Sequence, residues 1–160
     1  MAASNNATRL LAKNNIEFTA HELRGEKMGA IEAANYIGVA PKLVFKSIVF
    51  KDFKKDDSIL AIVSGNQQVD KKLLAKAAGS KSVKAASLAE VEIMTGLRAG
   101  GISALALITK RFRFFLDISA LNYEKIYVSA GNVGLNVSLS PQDFIRICRI
   151  KVAPIAINND

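Results

Sequence analysis

Two apolar stretches lie close together in the first half of the sequence: LVFKSIVF at residues 43–50 and ILAIV at residues 59–63. As strands, both would carry apolar side chains on both faces, which is typical of strands buried in the middle of a sheet. The polar connection at residues 52–57 is too short for a crossover between parallel strands. The sequence therefore predicts a central antiparallel pair.

Further strands are predicted on both sides of this pair. Alternating apolar and polar residues predict a half-buried strand at 16–23, and apolar runs predict strands at 112–118, 126–129 and 135–139. The last two flank a glycine-containing turn, which is typical of a hairpin. We expect six or seven strands in a mixed, mostly antiparallel sheet, curved enough to form a partial barrel.

About five helices are expected around this sheet, since apolar residues recur there at helical spacing. They are a short helix from Leu10 to near Asn15, one that ends at Gly38, one capped by Asp70 that ends at Gly79, one opened by a capping box of Ser87 and Glu90, and one opened by Ser140 and Pro141. Residues 1–6 are expected to be frayed, and residues 24–29 to form a turn. The predicted class is a single α/β domain over residues 1–160.

Length, composition and net charge indicate which classes of protein the sequence fits. With 160 residues, half of them hydrophobic, the chain can form one core, and no run is long enough to span a membrane. The net charge of +8 favours a polyanionic partner, nucleic acid first, although a charge that serves only solubility is the competing interpretation. Basic residues cluster at Lys71–Lys72, Lys81–Lys84 and Lys110–Arg113, and charge alone does not choose among them. The start of the chain lacks a signal-peptide pattern, which favours the cytoplasm.

Most catalytic signatures are absent from the sequence. His21 is the sole histidine and Cys148 the sole cysteine, so a zinc site with several His or Cys ligands is excluded. Cys148 lies on the apolar stripe of the last helix, which favours a buried structural thiol. No phosphate-binding loop or dinucleotide motif occurs. We therefore expect no metal, no cofactor and no side-chain nucleophile.

Three features stand out as candidates for a binding site. Lys46 lies on a strand that is otherwise apolar, so its ammonium either reaches solvent at an edge or enters a partly buried pocket. Two glycine-rich turns, at residues 100–103 and 129–134, either are plain connections or offer backbone N–H groups to an oxyanion or a phosphate.

Four segments in this order and spacing resemble one known family. They are Val44-Phe45-Lys46-Ser47-Ile48, Thr95-Gly96-Leu97-Arg98-Ala99-Gly100-Gly101-Ile102-Ser103, Ile126-Tyr127-Val128-Ser129-Ala130-Gly131 and Gly134-Leu135-Asn136. The chain resembles the YbaK-type aminoacyl-tRNA deacylases, whose superfamily includes the editing domain inserted in bacterial prolyl-tRNA synthetases. The resemblance extends from the first helix to the last.

The resemblance implies a free-standing enzyme that removes a wrong amino acid from tRNA, cysteine from Cys-tRNA(Pro) in the YbaK branch. It implies a catalytic role for Lys46, and a substrate pocket lined by Gly100, Gly101, Ile102, Ser103, Ser129, Ala130, Gly131 and Asn136. In that branch the thiol of the substrate attacks its own ester, so no enzyme nucleophile is needed. The implied partners are aminoacyl-tRNA and, as a second partner, prolyl-tRNA synthetase.

The chain departs from the family pattern at three positions. Ala104 stands where a proline is usual, Ala130 where a first glycine is usual, and Asn136 where an acidic residue is common. Two further hypotheses therefore stand beside the cysteine deacylase. One is a deacylase for alanine or another small residue that uses a bound water, and the other is a relative that only binds tRNA or prolyl-tRNA synthetase.

Overall fold

The computed structural model describes residues 4–23 and 28–158. The described helices are α1 (Asn6–Lys13), α2 (Ala30–Ile37), α3 (Lys71–Ala78), α4 (Leu88–Thr95) and α5 (Pro141–Cys148), with single 3₁₀ turns at Pro41–Leu43 and Ile118–Asn122. The strands are β1 (Phe18–Glu22), β2 (Phe45–Asp52), β3 (Asp57–Ser64), β4 (Gln67–Val69), β5 (Lys84–Ala85), β6 (Arg113–Asp117), β7 (Ile126–Ser129), β8 (Leu135–Leu139), β9 (Lys151–Ala153) and β10 (Ala156–Asn158).

A five-stranded sheet in the order β5-β2-β3-β6-β9 forms the centre of the molecule. Its middle is the predicted antiparallel pair of β2 and β3, in which Phe45 lies opposite Ser64 and Asp52 opposite Asp57. Strands β6 and β9 continue the sheet in parallel, because the chain returns to the same end of the sheet each time. The sheet is therefore mixed.

A second sheet positions the candidate site. It has the order β1-β8-β7, and all of its pairs are antiparallel. A parallel bridge between Val44 and Tyr127 joins it to the start of β2. A two-stranded sheet of β4 and β10 completes the arrangement, and the sheets do not close into a barrel.

Apolar side chains fill both sides of the five-stranded sheet. The larger core lies between the two main sheets and includes Leu60, Leu116 and Val137, with Phe144 of α5 packed into it. On the other side, Leu74 and other residues of α3 pack against Ile59. A third, smaller cluster joins α2 to Val44 and Tyr127. Helix α2 is therefore packed beside the point where the two main sheets meet.

The predicted α/β class, with five helices in the described part of the chain, is confirmed. The caps at Asp70, Ser87 and Ser140 form as expected, and Gly38, Gly79 and Gly96 end their helices in the left-handed conformation. The predicted start of the first helix was wrong. Helix α1 begins at Asn6, since the side chain of Asn5 accepts from the Thr8 N–H and the Thr8 hydroxyl accepts from the Asn5 N–H.

The strand count was also too low. Strands β4, β5, β9 and β10 have two or three residues each and were not predicted. The turn expected at residues 24–29 lies largely outside the described residues, which resume at Met28.

Candidate active site

A cavity of about 260 Å³ lies between α2, the start of β2 and the turn that joins β7 to β8. Much of its wall is apolar. That part is formed by Leu23, Met28, Ala30, Ala33, Val44 and Phe45. Polar groups also line it: Lys46, Ser47, Ser129, Asn136 and the backbone of Gly100 and Gly134. A mostly apolar pocket with a few convergent polar groups is the usual form of a small-ligand site.

Lys46 lies at the start of β2 with its side chain partly buried. Its ammonium donates to the carbonyl oxygen of Gly65 over a long 3.5 Å and makes no ion pair with a described carboxylate. Burial lowers the pKa of this ammonium below its ordinary value, because low-polarity surroundings disfavour the charged form. The structure thus selects the second sequence interpretation, a lysine in a partly buried pocket.

Asn136 and Ser129 lie side by side across the β7–β8 pair, and both line the cavity. Asn136 is only 8% exposed, yet its side-chain amide has no hydrogen-bond partner among the described residues. The Ser129 hydroxyl accepts from the Gly131 N–H at 3.3 Å, which fixes its position in the turn. The amide lines the cavity, so it is available to a ligand there.

The two glycine-rich turns pack directly against each other. A Cβ on Gly101 would lie 3.2 Å from the Gly131 carbonyl oxygen and 3.2 Å from the Val133 nitrogen. Gly131 has a φ of +97°, and a Cβ there would lie 2.8 Å from the Cβ of Ala106. Only glycine fits at this contact. The paired turns, residues 100–103 and 129–134, form one wall of the cavity and are called the glycine wall below.

The predicted site residues divide between the two sides of this wall. Lys46, Gly100, Ile102, Ser129 and Asn136 line the cavity. Gly101, Ser103, Ala130 and Gly131 do not line it; they form the interior and far side of the wall. Ser103 is buried, and its hydroxyl has no hydrogen-bond partner in the part of the chain described. The role of each of these residues stays a prediction.

Ala104 and Ala130 are not in exposed turns. At these two positions, where the chain departs from the family pattern, Ala104 is 2% exposed and Ala130 is 1% exposed. The carbonyl of Ala130 accepts from the Asn5 side chain at 2.8 Å, so the turn is held against α1. Both alanines lie in the main core, and a change there acts first on packing.

The sequence did not indicate the α2 side of the cavity. Ala30 and Ala33 line it because their side chains are short, and Leu23 is held near Gly134 by a backbone hydrogen bond of 2.7 Å. Ser47, next to Lys46, also lines the cavity and was not singled out. The available signal was the run of small residues AIEAA at residues 30–34.

A histidine lies next to the cavity without lining it. His21 Nε2 is 3.0 Å from the Ser138 Oγ, and the His21 ring lies 5.2 Å from the ring of Tyr127. His21 is also opposite Asn136 in the β1–β8 register. Burial lowers the pKa of His21 below 6.5, so the imidazole is neutral at neutral pH.

The described residues near the cavity include neither a reactive thiol nor a group of metal ligands. Cys148 is buried in the main core, and burial raises the pKa of its thiol to about 12. Among residues 4–23 and 28–158, no three acidic, histidine or cysteine side chains are grouped as metal ligands. Within the same ranges, no helix has the length and apolar character to cross a bilayer.

Comparison with known proteins gives the family. Residues 25–147 match the model of the aminoacyl-tRNA editing domain. The chain belongs to this family. The match includes the cavity from Met28 to Asn136, and it confirms the resemblance seen in the sequence. The expectation that one such domain occupies all of residues 1–160 stays a prediction.

Relatives of this editing domain agree with the assignment. A protein of Enterococcus faecalis with the provisional name Cys-tRNA(Pro)/Cys-tRNA(Cys) deacylase EbsC is 30% identical over 152 residues, which cover 94% of this chain and 92% of the relative. The solved structure of a hypothetical protein has a TM-score of 0.87 at 19% identity, covering 96% of this chain and 100% of its own. Another, described provisionally as a trans-editing enzyme for prolyl-tRNA synthetase, has a TM-score of 0.77 at 22% identity, covering 98% and 100%. These two structures confirm the fold of the editing domain.

Proposed function

We propose that this editing domain removes cysteine from mischarged Cys-tRNA(Pro), with the cysteinyl group held in the cavity beside Lys46. The observation that carries the proposal is the set of unpaired polar groups there. The Lys46 ammonium has one long hydrogen bond, and the Asn136 amide has no described partner. Both are available to an aminoacyl ester. The relative named for this reaction supports the choice of cysteine.

The reaction proceeds without an enzyme nucleophile. The sulfur of the bound cysteinyl group attacks its own ester carbonyl, forming a cyclic thiolactone. The bond from the carbonyl carbon to the ribose oxygen breaks, and the thiol proton passes to that oxygen. Placing the reacting groups together is the main source of rate in such a step. The scarcity of reactive side chains around the cavity agrees with this route.

Lys46 stabilises the negative charge that develops during this step. Negative charge develops on the ester oxygen, and an oriented cation in a partly buried pocket stabilises it more than water does. Asn136 of β8 and Ser129 of β7 hold the remaining polar groups of the substrate. The apolar α2 wall excludes water, so the thiol rather than a water molecule reaches the carbonyl.

A panel of charged tRNAs tests the proposal. We expect fast release of cysteine from Cys-tRNA(Pro) and a thiolactone as the first product. Ser-tRNA(Pro) is the matched control, since it replaces the sulfur by oxygen and should be stable. Release of serine at a comparable rate would contradict the thiol route and leave a general deacylase.

Alanine is the second candidate substrate, because alanine fits a cavity that fits cysteine. Release of alanine from Ala-tRNA(Pro), with oxygen from labelled water in the product, would establish a water-dependent reaction. Tight binding of every tRNA with no release would leave a binding protein.

A further inference from the structure

The proposed deacylation requires the acceptor end of the tRNA to reach the cavity, and this inference rests on that proposed function. We infer that the single-stranded 3′ end of the tRNA crosses the turn at residues 96–101, where Arg98 and Lys110 bind its phosphates. This turn leads into the glycine wall.

Arg98 is an exposed residue at the edge of the cavity. Its carbonyl accepts from the Gly101 N–H at 2.9 Å, and Gly100, two residues further along the chain, lines the cavity. The guanidinium makes no ion pair with any described acidic residue. Arg98 is therefore a free cation within two residues of the candidate site.

Lys110 comes to the same turn from another part of the chain. Its ammonium lies 3.7 Å from the place that a Cβ on Gly96 would occupy. Gly96 ends α4, and the carboxyl end of a helix attracts a cation, so Lys110 is held beside the turn. It too has no described acidic partner. Two cations, twelve residues apart in the sequence, thus lie at one turn.

The basic side chains around the end of α3 are already engaged. Lys151, Arg113 and Lys55 donate to the carbonyl oxygens of Ala77, Ala78 and Gly79 at 2.8, 2.8 and 2.6 Å. Arg113 also pairs with Asp57 at 2.6 Å. Their donor groups are therefore occupied by carbonyl oxygens and, for Arg113, by a carboxylate. This group is a structural cluster rather than a phosphate site.

Lys71 and Lys72 are exposed but lie on the far side of the central sheet. They open α3, whose buried side chains pack with Phe50 and Ile59. Ile102 and Ala104 pack instead in the core on the opposite side of that sheet. The Lys71 and Lys72 pair therefore offers a matched control with the same change in net charge.

The experiment measures the affinity of uncharged tRNA(Pro) for the full chain as a function of salt. The logarithm of the affinity falls with the logarithm of salt by about 0.7 for each phosphate bound on a single strand. Arg98→Ala/Lys110→Ala should therefore reduce the slope by about 1.4 and weaken binding by on the order of tenfold. Lys71→Ala/Lys72→Ala should leave the slope unchanged, and Arg98→Lys/Lys110→Arg should restore it.

A second measurement separates this inference from the proposed function. Cysteine methyl ester has no phosphates, so Arg98→Ala/Lys110→Ala should cleave it at the wild-type rate. Equal loss of tRNA affinity in both double-alanine variants would overturn the inference that Arg98 and Lys110 bind the tRNA. An unchanged salt slope in Arg98→Ala/Lys110→Ala would overturn it as well. A wild-type chain that binds tRNA with the expected slope but releases no amino acid would contradict only the deacylase.

Discussion

Lys46 combines two properties that oppose each other. Its ammonium is the only cation among the described residues that line the cavity, yet burial lowers its pKa because the pocket disfavours the charged form. The folded protein is therefore less stable with Lys46 charged than with a neutral side chain there. This cost applies at every pH below the folded pKa and disappears above the ordinary lysine value.

Lys46→Met should separate the two properties. We expect the single-turnover rate of deacylation to fall on the order of 10²–10³-fold, since one oriented electrostatic contact is lost. The melting temperature at pH 7 should stay the same or rise. Lys46→Arg should also be slow, because a planar guanidinium does not replace a compact ammonium in a small pocket. A Lys46→Met variant with the wild-type rate on every charged tRNA would remove Lys46 from the site.

Cys148 is expected to have no role in the reaction. It is 3% exposed with a pKa raised to about 12, so almost no thiolate forms at pH 7. Cys148→Ala should keep the wild-type rate and lower the free energy of unfolding by about 1 kcal/mol, as for the loss of one small buried group. Loss of activity in a stably folded variant would mean that the enzyme supplies a thiol after all.

Individual site residues could be predicted from the sequence where a residue has a distinctive chemistry. Lys46 was singled out because a lysine is rare on an apolar strand, and the glycine pairs because of their turns. The α2 wall was not found, because Ala30 and Ala33 act by being small and carry no chemical signature. The free amide of Asn136 is visible only when its neighbours are placed.

At the scale of elements, the glycine wall is the feature on which the site depends. Its two turns come from separate segments and touch through Gly101 and Gly131, with no side chain between them. A change on one turn is therefore transmitted to the other through backbone atoms. The Asn5 contact to Ala130 extends the same support to α1.

Gly131→Ala should lower both the free energy of unfolding and the rate of deacylation, because the added methyl group disturbs the glycine wall as well as the local backbone. Its positive φ costs about 1–2 kcal/mol for alanine, and the close approach to Ala106 adds to this. Gly79→Ala is the control, since Gly79 also has a positive φ but open space around it. Urea unfolding and single-turnover rates should show a smaller stability loss and an unchanged rate for the control. If both variants behave alike, the close approach of Gly131 to Ala106 contributes nothing to stability or rate.

The elements themselves could be predicted to the extent that their signals are local. Helix caps and glycine ends depend on a few neighbouring residues, so α2, α3, α4 and α5 were found. Strands β9 and β10 were not found, because a three-residue strand is defined by its partner. The parallel pairing of β3 with β6 also needs the whole chain to be placed.

At the scale of the whole molecule, His21 gives the stability a dependence on pH. It is the only histidine, and burial lowers its pKa below 6.5. The unfolded chain therefore binds its proton at a higher pH than the folded protein does. The stabilising effect of the neutral ring is complete above pH 6.5 and is lost as the pH falls through the folded pKa.

His21→Gln should remove this part of the pH dependence. Between pH 7 and pH 5.5, the melting temperature of the wild type should fall more than that of the variant, which can still bond to the Ser138 hydroxyl. Thermal unfolding followed by circular dichroism at both values gives the comparison. Parallel curves for the two proteins would mean that His21 titrates alike in the folded and unfolded chain.

The pairing of β1 with β8 has a consequence for how the protein is made. Phe18 lies opposite Leu139, so β1 leaves the ribosome well before its partner β8. Strands with such distant partners form slowly, because the loop between them must close first. Leu23 and Asn136 both line the cavity, and this pairing is what brings them together. The cavity therefore forms only after synthesis has passed β8.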